Sequence, residues 1–210
     1  MNQFSGIRAI LLVVLILAVG INLLPAELAE DLVREHEPVE MLTVVIYFVA
    51  VFWLILTALV KSERWLFSAS FMVALLGLRE LDFHSRFTSM GVMKTVYYIS
   101  PQVPGVEKAI VSALVLLILG VAVHFVWTRW RSFLAGLKAG DSAAISLGMA
   151  IGFGIISKTL DNNSTSIRKM IALFFGEPRY SLVRVVEETM ELAIPLFILL
   201  AIYHAFWEQK

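Results

Sequence analysis

The twenty residues Met41-Leu-Thr-Val-Val-Ile-Tyr-Phe-Val-Ala-Val-Phe-Trp-Leu-Ile-Leu-Thr-Ala-Leu-Val60 contain no charged side chain. A helix of that length rises about 30 Å, the thickness of the hydrocarbon core of a bilayer. No soluble fold needs a surface so uniformly apolar, so the stretch reads as a transmembrane helix. The whole chain agrees: 59% of its 210 residues are hydrophobic and 16% charged, with a mean hydropathy of +0.83. Soluble domains average about 45–50% apolar and about 25% charged residues. The predicted fold is therefore all-α, a single polytopic membrane domain over residues 1–210.

Outward from that stretch, two more segments span without help, Ala9 to Ala26 and Ala109 to Thr128. Arg8 before the first run gives it the look of a secretory leader. The run is too long for one, however, and no small-x-small cleavage site follows, so it is expected to be a retained helix. Three further segments are short. Trp65 to Leu78 offers 14 uncharged residues, Ala143 to Ser157 offers 15 and Leu192 to Trp207 offers 16. Fourteen residues rise only about 21 Å, so a crossing must draw in the neighbouring charges. The expected set is six transmembrane helices, at about 9–26, 41–60, 65–83, 108–128, 143–161 and 187–207. A thin bilayer with snorkelling side chains is the competing account of the short segments.

Six crossings put both termini and the connections near 61–65 and 129–138 on one side. That side holds seven Lys/Arg (Arg8, Lys61, Arg64, Arg129, Arg131, Lys138, Lys210) against three acids (Glu63, Asp141, Glu208). The opposite side holds ten Lys/Arg against fourteen acids, but several of those cations adjoin carboxylates or lie in longer connections. Short basic connections orient best, so both termini are expected in the cytoplasm and the chain in the inner (plasma) membrane. Trp65, Trp127, Trp130 and Trp207 fall at the same level, as an interfacial belt would. On the far side, Ile167 to Phe175 mixes basic and apolar residues, as a helix lying in the interface or on an ordinary surface would.

The charges drawn into the short helices are the candidate site. Arg79 and Asp82 share a helical face, and Lys158 and Asp161 repeat the spacing, which fits local ion pairing. Arg79-Glu80-Leu81-Asp82 and Lys158-Thr159-Leu160-Asp161 echo one another, an arrangement that related helical hairpins would produce. Glu187, Glu188 and Glu191 instead place like charges on one face. They need Arg79, Lys158 or Arg184 as partners, a bound cation, or a held proton. Pro195 adds a point of interest, because it can give no N–H to the carbonyl of Glu191. Glu37, Glu40, Glu80 and His84 complete the cluster. His36, Glu40 and His84 are the metal candidates, since imidazole and carboxylate at one depth suit a hard or borderline ion. No His-Glu-x-x-His element accompanies them.

Other chemistries are excluded more firmly. The chain has no cysteine, which rules out disulfides, thiolate metal sites and cysteine nucleophiles. Lys plus Arg and Asp plus Glu each total 17, so no net charge argues for nucleic acid. Nucleophile-elbow, phosphate-loop and dinucleotide motifs are missing. Gly148 and Gly152 form a small-xxx-small pair, suited to helix packing or to a homodimer contact.

The segments Arg34-Glu-His-Glu-Pro-Val-Glu40, Arg79-Glu-Leu-Asp-Phe-His84, Ser157-Lys-Thr-Leu-Asp161 and Glu187-Glu-Thr-Met-Glu-Leu192 resemble the charged signatures of uncharacterised bacterial inner-membrane proteins with about six helices. That resemblance implies a fold and no activity. A more distant likeness is to alkaline-ceramidase-type membrane hydrolases, which hold a metal with histidines and an aspartate. The His-x-x-x-His element of that family is missing here. The functional expectation is an ion or a lipid headgroup bound in the non-cytoplasmic half. A membrane-embedded lipid-modifying hydrolase, a small transporter and a structural or assembly subunit are the rivals.

Overall fold

The computed structural model describes residues 4–33, 38–81, 83, 88, 91–92, 95–175 and 181–208. Helix covers nearly all of them, and no strand occurs among them. Helix α1 (Ser5–Leu23) stops before Pro25, and α2 (Ala26–Val33) follows directly. Helix α3 (Pro38–Lys61) opens on a proline, whose fixed φ and missing N–H cost nothing in a first turn. Then come α4 (Trp65–Glu80), the short α5 (Thr95–Ile99), α6 (Gly105–Ala139), α7 (Ser142–Phe175) and α8 (Ser181–Phe206).

Four stretches are long and apolar enough to cross a membrane: α1, the stretch closed by α3, α6, and Ser142–Asn163 within α7. The expected six is not reached on length and apolarity alone. Helix α4 stops at 16 residues, with Leu81 as its cap rather than residue 83. Helix α8 carries Arg184, Glu187, Glu188 and Glu191 in its first half. Helices α3 and α8 begin three and six residues before their expected starts, and two others run well past their expected ends. Helix α6 does not end at residue 128 but runs through 129–138, because Arg, Leu, Ala and Lys all favour helix. It ends at Gly140, whose φ of +71° is a left-handed conformation that suits glycine. Asp141 then caps α7 by accepting the Ala144 N–H at 3.0 Å. Helix α7 likewise continues through 162–175, so Ile167 to Phe175 belongs to it and is not a separate interfacial helix.

Helix α8 is the axis of the bundle, packed against α7, α3, α1 and α2. Ala193, Phe197, Ile198 and Ile202 are buried among Tyr47, Leu54, Leu66, Val73 and Ala150. Lipid tails are as apolar as leucine, so close packing has to hold such helices together, and small side chains permit it. Gly77 is one such place, since a Cβ there would stand 3.0 Å from the Cβ of Tyr47. Its absence lets α4 lie tightly on α3. Helix α6 differs from all the others in having no buried residue, and along its length it leans mainly on α4 and α7. At its start, Val111 packs on a small cluster of Val92, Tyr97 and Val103. Tyr97 donates to Glu107 at 3.2 Å, and burial together with that bond holds its phenol above the ordinary tyrosine range.

Candidate functional site

Glu191 is the residue on which three helices meet. From α7, the buried Ser157 hydroxyl donates to its Oε1 at 3.0 Å. From α4, Arg79 Nη2 lies 3.7 Å from the same oxygen and 3.2 Å from Glu80 Oε1. The carboxylates of Glu80 and Glu191 are only 9% and 16% exposed, whereas the Arg79 side chain is 45% exposed. The arginine therefore bridges two sheltered carboxylates while keeping part of its donor fork free. One turn before Glu191, Glu188 pairs with Arg184 at 3.8 Å within α8. Glu40 on α3 completes the ring as an electrostatic neighbour of Glu80 and Glu188.

Lys158 turns to its own helix and pairs with Asp161, both side chains being about half exposed. Its charge, with those of Asp161, Glu191 and Arg184, also acts on Glu187. The structure thus brings Glu40, Arg79, Glu80, Lys158, Asp161, Glu187, Glu188 and Glu191 to one end of the bundle. Glu37, Asp82, His84 and the metal candidate His36 lie outside the described residues. Among the described residues, no three His, Asp or Glu side chains converge as metal ligands.

Two participants were not picked out from the sequence. Ser157 sits beside Lys158, but it is 34 residues from its partner Glu191. Tyr47 is buried and feels the charges of Glu80, Arg79 and Glu191. In the sequence it is one aromatic among many, in a run without charge.

The cluster opens onto a groove of about 730 Å³. Arg79, Lys158 and Glu191 stand at one end, and Trp65, Arg129 and Asp141 at the other. Between them the lining is mostly aliphatic, from α4, α7 and α8, with Tyr47 and Leu54 of α3 and Phe125 and Phe133 of α6 beside it. The second end is organised by aromatic contacts: Arg129 stacks 4.1 Å over the Trp65 ring, which lies 6.3 Å from Phe206. Trp207 meets Trp53 edge-on at 5.5 Å, and His204 pairs with Glu208. Of the four expected interfacial tryptophans, Trp65 and Trp207 make these contacts, while Trp127 and Trp130 are 83% and 52% exposed. Of the small-residue pair, a Cβ added at Gly148 would stand 3.4 Å from Leu137 and 3.9 Å from Phe133 of the same chain, while one added at Gly152 would meet nothing within 4 Å.

No family model, curated protein or solved structure matches this chain. The site has to be read from its own geometry.

Proposed function

We propose that this chain is an inner-membrane protein of six crossings, both termini cytoplasmic, which binds a lipid headgroup at the ionic cluster of its non-cytoplasmic end. In this reading α4 and α8 cross as well, their charges drawn in because they meet one another around Glu191. One observation supports it above the others: the cluster stands at the mouth of an apolar groove inside the bundle. An isolated charge network that only locked helices together would have no use for a groove of that size, which falls in the range of ligand sites. Arg79 and Lys158, each about half exposed, keep donors available beyond their carboxylate partners. A headgroup placed between them satisfies charges that would otherwise face hydrocarbon.

Purification in native lipid, followed by mass spectrometry of what stays bound after detergent exchange, tests the reading. Arg79→Gln and Lys158→Gln are expected to lose most of the retained lipid while keeping native helix content. Equal lipid in both variants and the parent would leave a structural network, a role that the one-helix pairs Lys158–Asp161 and Arg184–Glu188 already resemble.

A further inference from the structure

We infer that the groove seats one zwitterionic aminophospholipid of the non-cytoplasmic leaflet, its phosphate on Arg79 and Lys158 and one acyl chain running between α4 and α7 over α8. The inference rests on the headgroup reading above and adds the class of lipid and the path of its tail.

Length comes first. Along α7 the groove wall runs from Lys158 through Ile155, Ile151 and Leu147 to Ala143. Fifteen helical steps rise about 22 Å, more than half of the roughly 30 Å of hydrocarbon, so a whole acyl chain of one leaflet has room along it. The facing wall is Leu76 and Val73 of α4, and the floor is Ile194 and Ile198 of α8.

Access comes next. Every residue that α6 gives to the groove lies at Phe125 or beyond, so α6 closes the end marked by Trp65 and leaves the end marked by Lys158 open sideways. A tail can enter there from the membrane without any helix moving. Ile151 and Ile155 are 47% and 63% exposed on that wall, so the described residues leave much of both uncovered.

Charge decides the headgroup. The rim carries Arg79 and Lys158, which suit a phosphodiester, but Glu80, Asp161 and Glu191 stand among them. An anionic headgroup such as phosphatidylglycerol can offer those carboxylates only neutral hydroxyl donors and no counter-charge. A headgroup carrying both phosphate and ammonium satisfies both signs, and the ammonium needs no more than a free edge of those carboxylates.

The test uses the full chain in lipid nanodiscs, exploiting its lack of cysteine. A fluorophore on Gly152→Cys, next to the groove wall but not part of its lining, should be quenched at least threefold more by tail-brominated phosphatidylethanolamine than by tail-brominated phosphatidylglycerol at equal mole fraction. In parallel, Ile151→Trp and Ile155→Trp fill the groove without touching the rim and should cut retained phosphatidylethanolamine at least fivefold. Retained lipid that falls in Arg79→Gln and Lys158→Gln but not in the tryptophan variants overturns the groove while leaving the headgroup reading intact. Unchanged lipid in all four variants overturns both. Equal quenching by the two lipids, or stronger quenching by phosphatidylglycerol, overturns the zwitterionic assignment. The quenching measurement needs no groove-filling variant, so it decides the matter even if the tryptophan proteins fail to fold.

Discussion

Replacing Glu191 with Gln separates a binding site from a structural clamp. A carboxylate removed from a buried ion pair strands its partner, at a cost of about 3–5 kcal/mol. Glu191 is not in that situation. Arg79 is 45% exposed and keeps Glu80 at 3.2 Å, so it is neither buried nor left without a carboxylate. A glutamine can still accept the Ser157 hydroxyl through its carbonyl oxygen. Against the small loss of one long contact stands a gain, because Glu80, Glu187 and Glu188 all feel the charge of Glu191 and its removal relieves them. The two terms are each of the order of an exposed pair, about 1 kcal/mol or less, and they oppose. For a chain of this size about 1 kcal/mol moves the midpoint by about 2–4 °C. Glu191→Gln is therefore expected to unfold in detergent within about 4 °C of the parent, or above it, while retained lipid falls severalfold. Scanning fluorimetry beside lipid mass spectrometry reads both quantities. A midpoint lowered by more than about 8 °C with lipid content unchanged would refute this reasoning and make the carboxylate a clamp.

Topology is checked by single cysteines: Gln102→Cys should react with an impermeant maleimide on intact cells, and Arg64→Cys only after permeabilisation; the reverse pattern overturns the orientation. Gly77→Ala puts a methyl group 3.0 Å from the Cβ of Tyr47 and should destabilise by about 1–3 kcal/mol, seen as a lowered midpoint; an unchanged midpoint would show that α3 and α4 are less tightly packed. Asp141→Ala removes the cap on Ala144 and should cost about 0.5–2 kcal/mol, with Asp141→Asn restoring most of it in the same thermal assay.

The parts legible in the sequence were those written in long-range contrast. Met41 to Val60 is readable because twenty uncharged residues leave a helix few alternatives, and α3 contains that run. The meeting of Arg79 with Glu191 was foreshadowed because charge carried into a membrane needs a counter-charge. Helix α6 was misjudged at its end because Arg129, Trp130 and Arg131 look like a connection, although nothing in 129–138 actually breaks a helix. The stop is Gly140, and only its left-handed backbone distinguishes it from a glycine within a helix. Ser157 was hidden for another reason. A hydroxyl in an apolar helix usually bonds the carbonyl four residues back, as Ser146, Thr57 and Thr159 do here. Nothing local marks Ser157 as a hydroxyl that reaches across to another helix.

The central position of α8 bears on how the protein comes to exist. In the proposed topology α1, α3, α4 and α7 emerge from the ribosome ahead of α8, at about 5–20 residues each second. Until then Tyr47, Leu54 and Ala150 have lipid where Phe197 and its neighbours will later sit. Arg79 and Ser157 wait for the carboxylate that will join them. On that topology insertion and assembly are separate events in time: α3 and α4 can already pair through Gly77 and Tyr47, but the core they help to build stays open until the helix that they surround is threaded among them.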